Sequence, residues 1–232
     1  MSTMWSRLKT IILVLLGAGI VGLIIVNAVV TKPTPSYTVW SEAMTMGNKE
    51  AEHHFTVYTD IYCPYCDNYS RALEENLDEF QRDYIDSGKV FYEIRLTDMI
   101  ADHSPNSERG GESGYCAADQ NKFWDYYHGI LSQLKDDYHS KGIGTSKTSP
   151  EIPKLDDDYY IDVARKVDGL DVAAFTDCLT DHKMLDTLNQ NTTKAAQTIS
   201  SGLPYFVFDE WTSSGFEGDW KTIKSMFRAG GV

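Results

Sequence analysis

The stretch FTVYTDIYCPYCDNYS, residues 55–70, decides the fold of this chain. Its first residues alternate and are aromatic or β-branched, a pattern typical of a strand, and an amphipathic helical pattern follows the two cysteines. Cys63 and Cys66 therefore lie where a strand passes into a helix. A second strand, Val90–Leu96, comes after that helix. The order strand, helix, strand predicts a βαβ unit with a parallel strand pair.

The spacing and position of the two cysteines indicate a redox pair. A helix N-terminus carries about half a positive charge and free N–H groups, which stabilise a thiolate, the reactive form of cysteine. Cys63 is then the reactive thiol, and Cys66, one turn further on, can resolve a mixed disulfide on it. Pro64 suits the first helical turn, because its missing N–H has no partner there. One alternative is a structural zinc site, but the sequence has no second pair of closely spaced cysteines to supply the other ligands. Another is an inert structural disulfide, which would stabilise the fold little because the loop that it closes is short.

An apolar run at residues 11–30 is long enough to cross a bilayer, since 20 residues of helix span about 30 Å. Arg7 and Lys9 precede it, which predicts a cytoplasmic N-terminus at residues 1–10 and an exported C-terminal part. We therefore expect a single-pass protein of the cell membrane. A cleaved signal peptide is the alternative, although its apolar region is normally about 7–15 residues long. Both interpretations export the rest of the chain, where disulfides persist.

The exported part divides into four segments by pattern. Residues 31–52 contain two prolines and no apolar period, which predicts a tether. Residues 53–97 carry the strands and the cysteine pair, and residues 98–200 are mainly helical. Residues 201–232 return to strands and end in an amphipathic helix. These segments predict an α/β fold interrupted by a helical insertion.

The charge of the chain excludes one class of partner. The formal net charge is -13, whereas proteins that bind nucleic acids need clustered Lys and Arg for the phosphate backbone. The histidines have no mutual ligand spacing, so we expect no metal and no nucleic-acid partner. The one redox group expected is the Cys63–Cys66 disulfide itself, with no separate cofactor.

These motifs resemble those of the DsbA-like thiol–disulfide oxidoreductases in the thioredoxin superfamily. The likeness rests on the cysteine segment, on CAADQNKFWDYYHGIL at residues 116–131 and on ISSGLPYFVFD at residues 199–209. It covers about residues 53–230. The resemblance implies a thioredoxin-like fold, in which helices flank a central mixed sheet and a helical domain is inserted.

The resemblance also implies roles for individual residues. Cys63 is expected to be the exposed nucleophile and Cys66 the buried resolving thiol. A cis-proline is expected beside them, at the Leu203–Pro204 bond, and an ordinary trans proline at the start of a strand is the alternative. The residues expected to support the site are Pro64, Tyr65, Leu203 and Pro204.

Two departures from the family pattern concern the strength and proton chemistry of the site. Pro64 and Tyr65 bring no cation to the thiolate, which predicts a weaker oxidant than a histidine there gives. Val57 stands where many thioredoxin-fold enzymes have a buried acid, six residues before the first cysteine. Asp60 and Glu93 are alternative proton acceptors, although a solvated surface position is the expectation for both.

The second cysteine pair is expected to be structural. If Cys63 and Cys66 pair locally, Cys116 and Cys178 are left to pair with each other, and the long loop that they close is worth about 4 kcal/mol. Two free buried thiols are the alternative.

The function predicted from the sequence is donation of the Cys63–Cys66 disulfide to cysteines of newly exported proteins. Turnover then needs a membrane redox partner of the DsbB or VKOR kind, which only the resemblance implies. The alternative is a reductase or isomerase of the same fold. A rival of another class is a binding module or chaperone without catalytic activity.

Overall fold

A five-stranded mixed sheet forms the centre of the fold in the computed structural model, which describes residues 38–232. Residues Val39–Val232 make up one unit around it. The strands lie side by side in the order β1-β3-β2-β4-β5. Their bounds are Thr45–Met46 for β1, His53–Thr59 for β2, Val90–Leu96 for β3, Tyr205–Phe208 for β4 and Trp211–Ser214 for β5.

Helices fill the connections between these strands. Two helices and a π-helical turn at Gln81–Ile85 join β2 to β3. Five α-helices and a 3-10 turn at His139–Lys141 lie between β3 and β4, and one helix follows β5. Their bounds are α1 Pro64–Glu74, α2 Leu77–Phe80, α3 Ser107–Ala118, α4 Phe123–Asp137, α5 Asp157–Ala164, α6 Val172–Thr180, α7 Leu185–Thr198 and α8 Trp220–Ala229.

The parallel pair at the centre of the sheet confirms the predicted βαβ unit. β2 and β3 run parallel in a register that pairs His53 with Val90 and Thr59 with Leu96. β4 pairs antiparallel with the other edge of β2, and β5 with β4. Residues 55–59 of β2 are all buried, so packed side chains cover both faces of this strand. The end of β2 is thus a fixed platform for the cysteine pair.

The domain begins earlier than the sequence indicates. Glu42–Met44 form a turn of 3-10 helix, and β1 pairs antiparallel with β3. Met44 is completely buried. The predicted tether at residues 31–52 is therefore wrong for residues 42–46, which belong to the domain. A two-residue strand carries no periodic signal by which sequence reasoning could find it.

The predicted membrane anchor at residues 11–30 and the cytoplasmic segment at residues 1–10 lie outside the described residues. Among the helices of residues 38–232, none combines the length and apolar character that a bilayer span requires.

The helical insertion is held by a disulfide and by a capped helix start. Cys116 on α3 and Cys178 on α6 are bonded, 62 positions apart in the sequence. The side chain of Asp171 accepts hydrogen bonds from the backbone N–H groups of Ala173 and Ala174, at 3.0 and 3.1 Å. Asp171 is therefore the N-cap of α6, as its residue type predicts.

Candidate active site

Cys63 is the N-cap residue of α1, with extended backbone angles, and Pro64 occupies the first helical position. The backbone N–H of Cys63 donates to the carbonyl of Asp60 at 3.1 Å, and the Cys63 carbonyl accepts from the N–H of Asp67 at 3.0 Å. The first N–H groups of a helix have no partner within the helix. The positive end of the α1 dipole therefore lies at Cys63.

Both thiols are free and buried. Cys66 is 1% exposed, as expected of a resolving thiol, but Cys63 is only 4% exposed, so the expectation of an exposed nucleophile is wrong. Cys63 packs in a cluster with Tyr58, Leu203 and Tyr205, which cover it. Burial raises the pKa of the Cys66 thiol well above its ordinary value, and a hydrogen bond with Cys63 raises it further. Cys66 is therefore held mainly as the neutral thiol.

Leu203 and Pro204 face the thiol pair from the far end of the chain. The Cys63 thiol donates to the Leu203 carbonyl with sulfur and oxygen 3.7 Å apart. The peptide bond between Leu203 and Pro204 is cis. The Pro204 carbonyl accepts from the N–H of Gly215 at 2.8 Å, which holds this segment against the loop after β5.

An open groove of about 970 Å³ leads to Cys63. Pro64 and Tyr65 line it beside the cysteine, and Leu203 lines it opposite. Other walls come from residues between 144 and 152 of the helical insertion and from residues 214–217 at the end of β5 and just after it. The groove is also lined by Tyr62, Ile100, His103, Ser104 and Gly202. Segments far apart in the sequence therefore build the approach to the thiol.

A partly buried polar cluster ties α1 to the 3-10 turn at His139–Lys141, which precedes the groove-lining residues 144–152 in the sequence. Asp67 and Arg71 form an ion pair one turn apart on α1. The Nδ1 atom of His139 lies 3.2 Å from Asp67 Oδ2 and 2.9 Å from Arg71 Nη2. Burial, together with the charge of Arg71, lowers the pKa of His139 to about 4. His139 is thus neutral at pH 7, where its ring nitrogen accepts from Arg71.

Asp60 is buried beside the cysteine motif, contrary to the expectation of a solvated position. Its carboxylate accepts from the N–H groups of Tyr62 and Ile100 at 2.9 and 3.4 Å, and from the Ser107 hydroxyl. Burial raises the pKa of Asp60 to about 7, against the opposing hydrogen bond from Ser107. Its position directly after a buried strand is the sequence signal that indicates this burial.

Glu93 is also buried, so the expectation of a solvated position is wrong for this residue too. Its carboxylate accepts from the backbone N–H of Trp40 at 2.6 Å and from the Arg95 Nε at 2.9 Å. The guanidinium of Arg95 in turn lies over the Trp40 ring, 4.7 Å from its centroid. Glu93 therefore fixes the start of the domain to the sheet.

A family model described as thioredoxin matches residues 40–212, which include the whole sheet apart from its last two positions. The chain belongs to the thioredoxin family. No curated protein sequence matches it.

Solved structures with the same fold include several disulfide-exchange proteins. BdbD from Bacillus subtilis has a TM-score of 0.57 at 13% identity, over 81% of this chain and 91% of that one. Mtb DsbA has a TM-score of 0.55 at 17% identity, over 82% and 93%. Chlamydia trachomatis DsbA has a TM-score of 0.55 at 14% identity, over 84% and 96%. At these identities the likeness concerns the fold.

Family membership and the Cys63–Cys66 pair together make the chain a thiol–disulfide oxidoreductase. The two sulfurs carry the chemistry themselves, by thiolate attack on a disulfide. Within residues 38–232 no group of three or more His, Cys, Asp or Glu side chains could hold a metal ion.

Proposed function

We propose that this protein is a membrane-tethered, extracytoplasmic oxidant that donates the Cys63–Cys66 disulfide to exported proteins. The observation that carries the proposal is the free thiol pair at the start of α1, opposite the Leu203 carbonyl in an open groove. The apolar run at residues 11–30 supports the tethered location. The Cys116–Cys178 bond supports an oxidising compartment.

The reaction consists of two thiolate attacks. A client thiolate attacks the Cys63 sulfur, the Cys63–Cys66 bond breaks, and its electron pair moves to Cys66, which takes up a proton. A second client thiolate then attacks the client sulfur of the mixed disulfide and expels Cys63 as a thiolate. The client leaves with a disulfide, and the pair remains reduced. A quinone-linked membrane protein of the DsbB or VKOR kind is the proposed acceptor of its two electrons.

The groove favours an extended client segment. The backbone at Leu203 lies against Cys63, and an extended peptide can pair with an exposed backbone edge by strand addition. Such pairing would place a client cysteine next to the Cys63 sulfur with little dependence on the side chains around it.

The opposite direction of electron flow is the second candidate. Pro64 and Tyr65 stand between the cysteines and bring no positive charge to the thiolate. A less stabilised thiolate lowers the tendency of the pair to stay reduced. This composition favours a reductase or an isomerase more than a strong oxidant.

The reduction potential of the Cys63–Cys66 pair distinguishes the two directions. The full-length protein is equilibrated with glutathione buffers of increasing potential, and the fraction with free thiols is measured by alkylation. A reduction potential of about -120 mV supports the oxidant, and one of about -270 mV supports a reductant. A Cys116→Ala and Cys178→Ala double variant serves as control, because only the active pair can then titrate.

Client capture tests whether the fold is catalytic at all. We expect a Cys66→Ala variant to accumulate mixed disulfides on Cys63 in cells, because the resolving thiol is missing. The additional change Cys63→Ser should abolish these adducts. If the Cys66→Ala variant yields no adduct and Cys63→Ser retains full function, the protein is a binding module instead.

A further inference from the structure

Three buried hydroxyl groups interact with one another or with the buried Cys66 thiol. Thr59 is the last residue of β2, Ser70 lies one turn after Cys66 on α1, and Tyr127 lies on α4. All three side chains are buried. The Ser70 and Tyr127 hydroxyls are hydrogen-bonded at 2.9 Å. Three separate elements thus direct hydroxyl groups to one place in the core.

Among these three hydroxyl groups, the role of the Thr59 hydroxyl is the one that the packing does not explain. It is buried and has no partner at full hydrogen-bond geometry among the described residues, although buried hydroxyl groups are normally paired. Its side chain nevertheless lies close enough to Cys66 and to Tyr127 to interact with both. Burial dominates the raised pKa of Cys66, and the Thr59 hydroxyl opposes that effect. Burial raises the pKa of Tyr127, and a hydrogen bond with Ser70 and, to a smaller extent, the interaction with Thr59 lower it. Thr59 therefore stands beside both the resolving thiol and the Tyr127 phenol.

The nearby carboxyl group of Asp60 is hydrogen-bonded to other groups, and position 57 carries no carboxyl group. Val57 offers an apolar side chain at the buried position on β2 where an acid could reach the thiol. The three hydrogen bonds to the Asp60 carboxylate come from Tyr62, Ile100 and Ser107. Asp60 opposes the raised pKa of Cys66 through its backbone N–H only. Hydroxyl and backbone donors are thus the groups available to a Cys66 thiolate.

We propose that the Thr59 hydroxyl donates a hydrogen bond to the Cys66 sulfur whenever that sulfur carries negative charge, with Tyr127 and Ser70 positioning it. The inference rests on thiol–disulfide exchange at Cys63 and Cys66, and it holds for either direction of electron flow.

The charge on Cys66 arises in both directions of the exchange. When a client thiolate attacks Cys63, the bond between the two cysteines breaks and the electron pair goes to Cys66, which later takes a proton from solvent. In the reverse step Cys66 gives its proton to solvent, attacks Cys63 and expels the client thiolate. Thr59 keeps its own proton in both steps and stabilises the anion by donating to it.

The titration of Cys66 tests the proposal directly. In a full-length Cys63→Ala background, the ¹³Cβ shift of Cys66 is followed against pH by NMR. We expect Thr59→Val to leave about tenfold less Cys66 thiolate at a given pH, because a hydrogen bond to a charged group is worth about one pKa unit or more. Thr59→Ser keeps the hydroxyl and should restore the wild-type titration.

The rate of exchange gives a second readout. Glutathione is added to the oxidised full-length protein, and we expect Thr59→Val to react about tenfold more slowly, because Cys66 leaves as a less stabilised anion. Thr56→Val is the matched control. Thr56 is buried on the same strand but on the opposite face, so its loss should leave the titration and the rate unchanged.

Three results would overturn the proposal. Thr59→Val could titrate and react like the wild type, or Thr56→Val could slow the reaction equally. If Thr59→Val does not fold, Tyr127→Phe replaces it, and an unchanged Cys66 titration in that variant counts against the proposal. A reduction potential near that of a reductant would reject the proposed oxidant role and leave this inference intact.

Discussion

Asp60 is the residue whose environment differs most from the sequence expectation. Its carboxyl group is 0% exposed and its pKa is raised from 3.8 to about 7 by burial. Between these two pH values the folded state binds more protons at Asp60 than the unfolded state does. The contribution of this group to stability is therefore fully present below about pH 4 and is lost as the pH rises towards 7.

Asp60→Asn should remove this pH dependence. We expect the unfolding free energy of the wild type, relative to the variant, to fall by about 4 kcal/mol between pH 4 and pH 8, because three pKa units are worth about that much. Urea unfolding of both proteins across this range measures the effect. Asp102→Asn, at an exposed position, should keep the wild-type slope. Parallel pH profiles for wild type and Asp60→Asn would contradict the prediction.

The chemistry of the pair was predictable at this scale, but its surroundings were not. A CxxC spacing between a strand and a helix is local, so Cys63 and Cys66 follow from about fifteen consecutive residues. The cover over Cys63 comes from Leu203, which is 140 positions away in the sequence. No local pattern contains that contact. The family resemblance placed Leu203 and Pro204 beside the cysteines, but it also implied an exposed nucleophile, because it does not show how closely these residues pack over Cys63 in this chain.

Among the elements, α3 approaches its neighbours closely through glycines. A Cβ atom on Gly110 would lie 2.6 Å from a ring carbon of Tyr62, and one on Gly114 would lie 2.3 Å from Leu96 Cδ1. Tyr62 directly precedes Cys63, and its hydroxyl donates to that of Tyr160 at 2.9 Å. The helical insertion therefore packs against the residue beside the reactive thiol.

Gly110→Ala should destabilise the protein by about 1–3 kcal/mol, because the added methyl group overpacks a rigid contact. The same change in an unconstrained helix stabilises by about 1 kcal/mol, so the sign of the effect tests the packing. Gly129→Ala on α4 is the control, since its nearest neighbour is Val163 Cγ1 at 3.2 Å, and a smaller cost is expected. Thermal unfolding measures both, and a more stable Gly110→Ala variant would refute the contact.

Elements with a strong period were predictable, whereas those fixed by packing were not. The alternation in β2 and β3 located both strands, and the helical pattern between them predicted the parallel pairing. β1 has two residues and exists because it pairs with Glu93 and Tyr92 of β3. Its sequence resembles a tether because the partner strand, and not its own pattern, holds it in place.

For the whole molecule, the largest single constraint on the unfolded chain is the bond between Cys116 and Cys178. It closes a loop of 62 positions. In the chain-entropy model a loop of this length is worth about 4 kcal/mol. The bond joins two helices of the insertion, and neither of its cysteines lines the groove at Cys63, so stability and exchange should respond separately to its loss.

Replacing both cysteines tests this separation. We expect the Cys116→Ala and Cys178→Ala double variant to lose about 4 kcal/mol of unfolding free energy and to exchange thiols with glutathione at the wild-type rate. Urea unfolding and the rate of reaction measure the two quantities. A loss below about 1 kcal/mol, or a rate that falls with the stability, would show that the bond has a different role.

The groove walls restrict which cysteines can react. Cys63 is only 4% exposed and contacts Leu203. Under the proposed function, a client cysteine must therefore extend into the groove to reach this sulfur. A flexible segment that has not yet folded is then the expected client, and a cysteine held on a rigid folded surface is not.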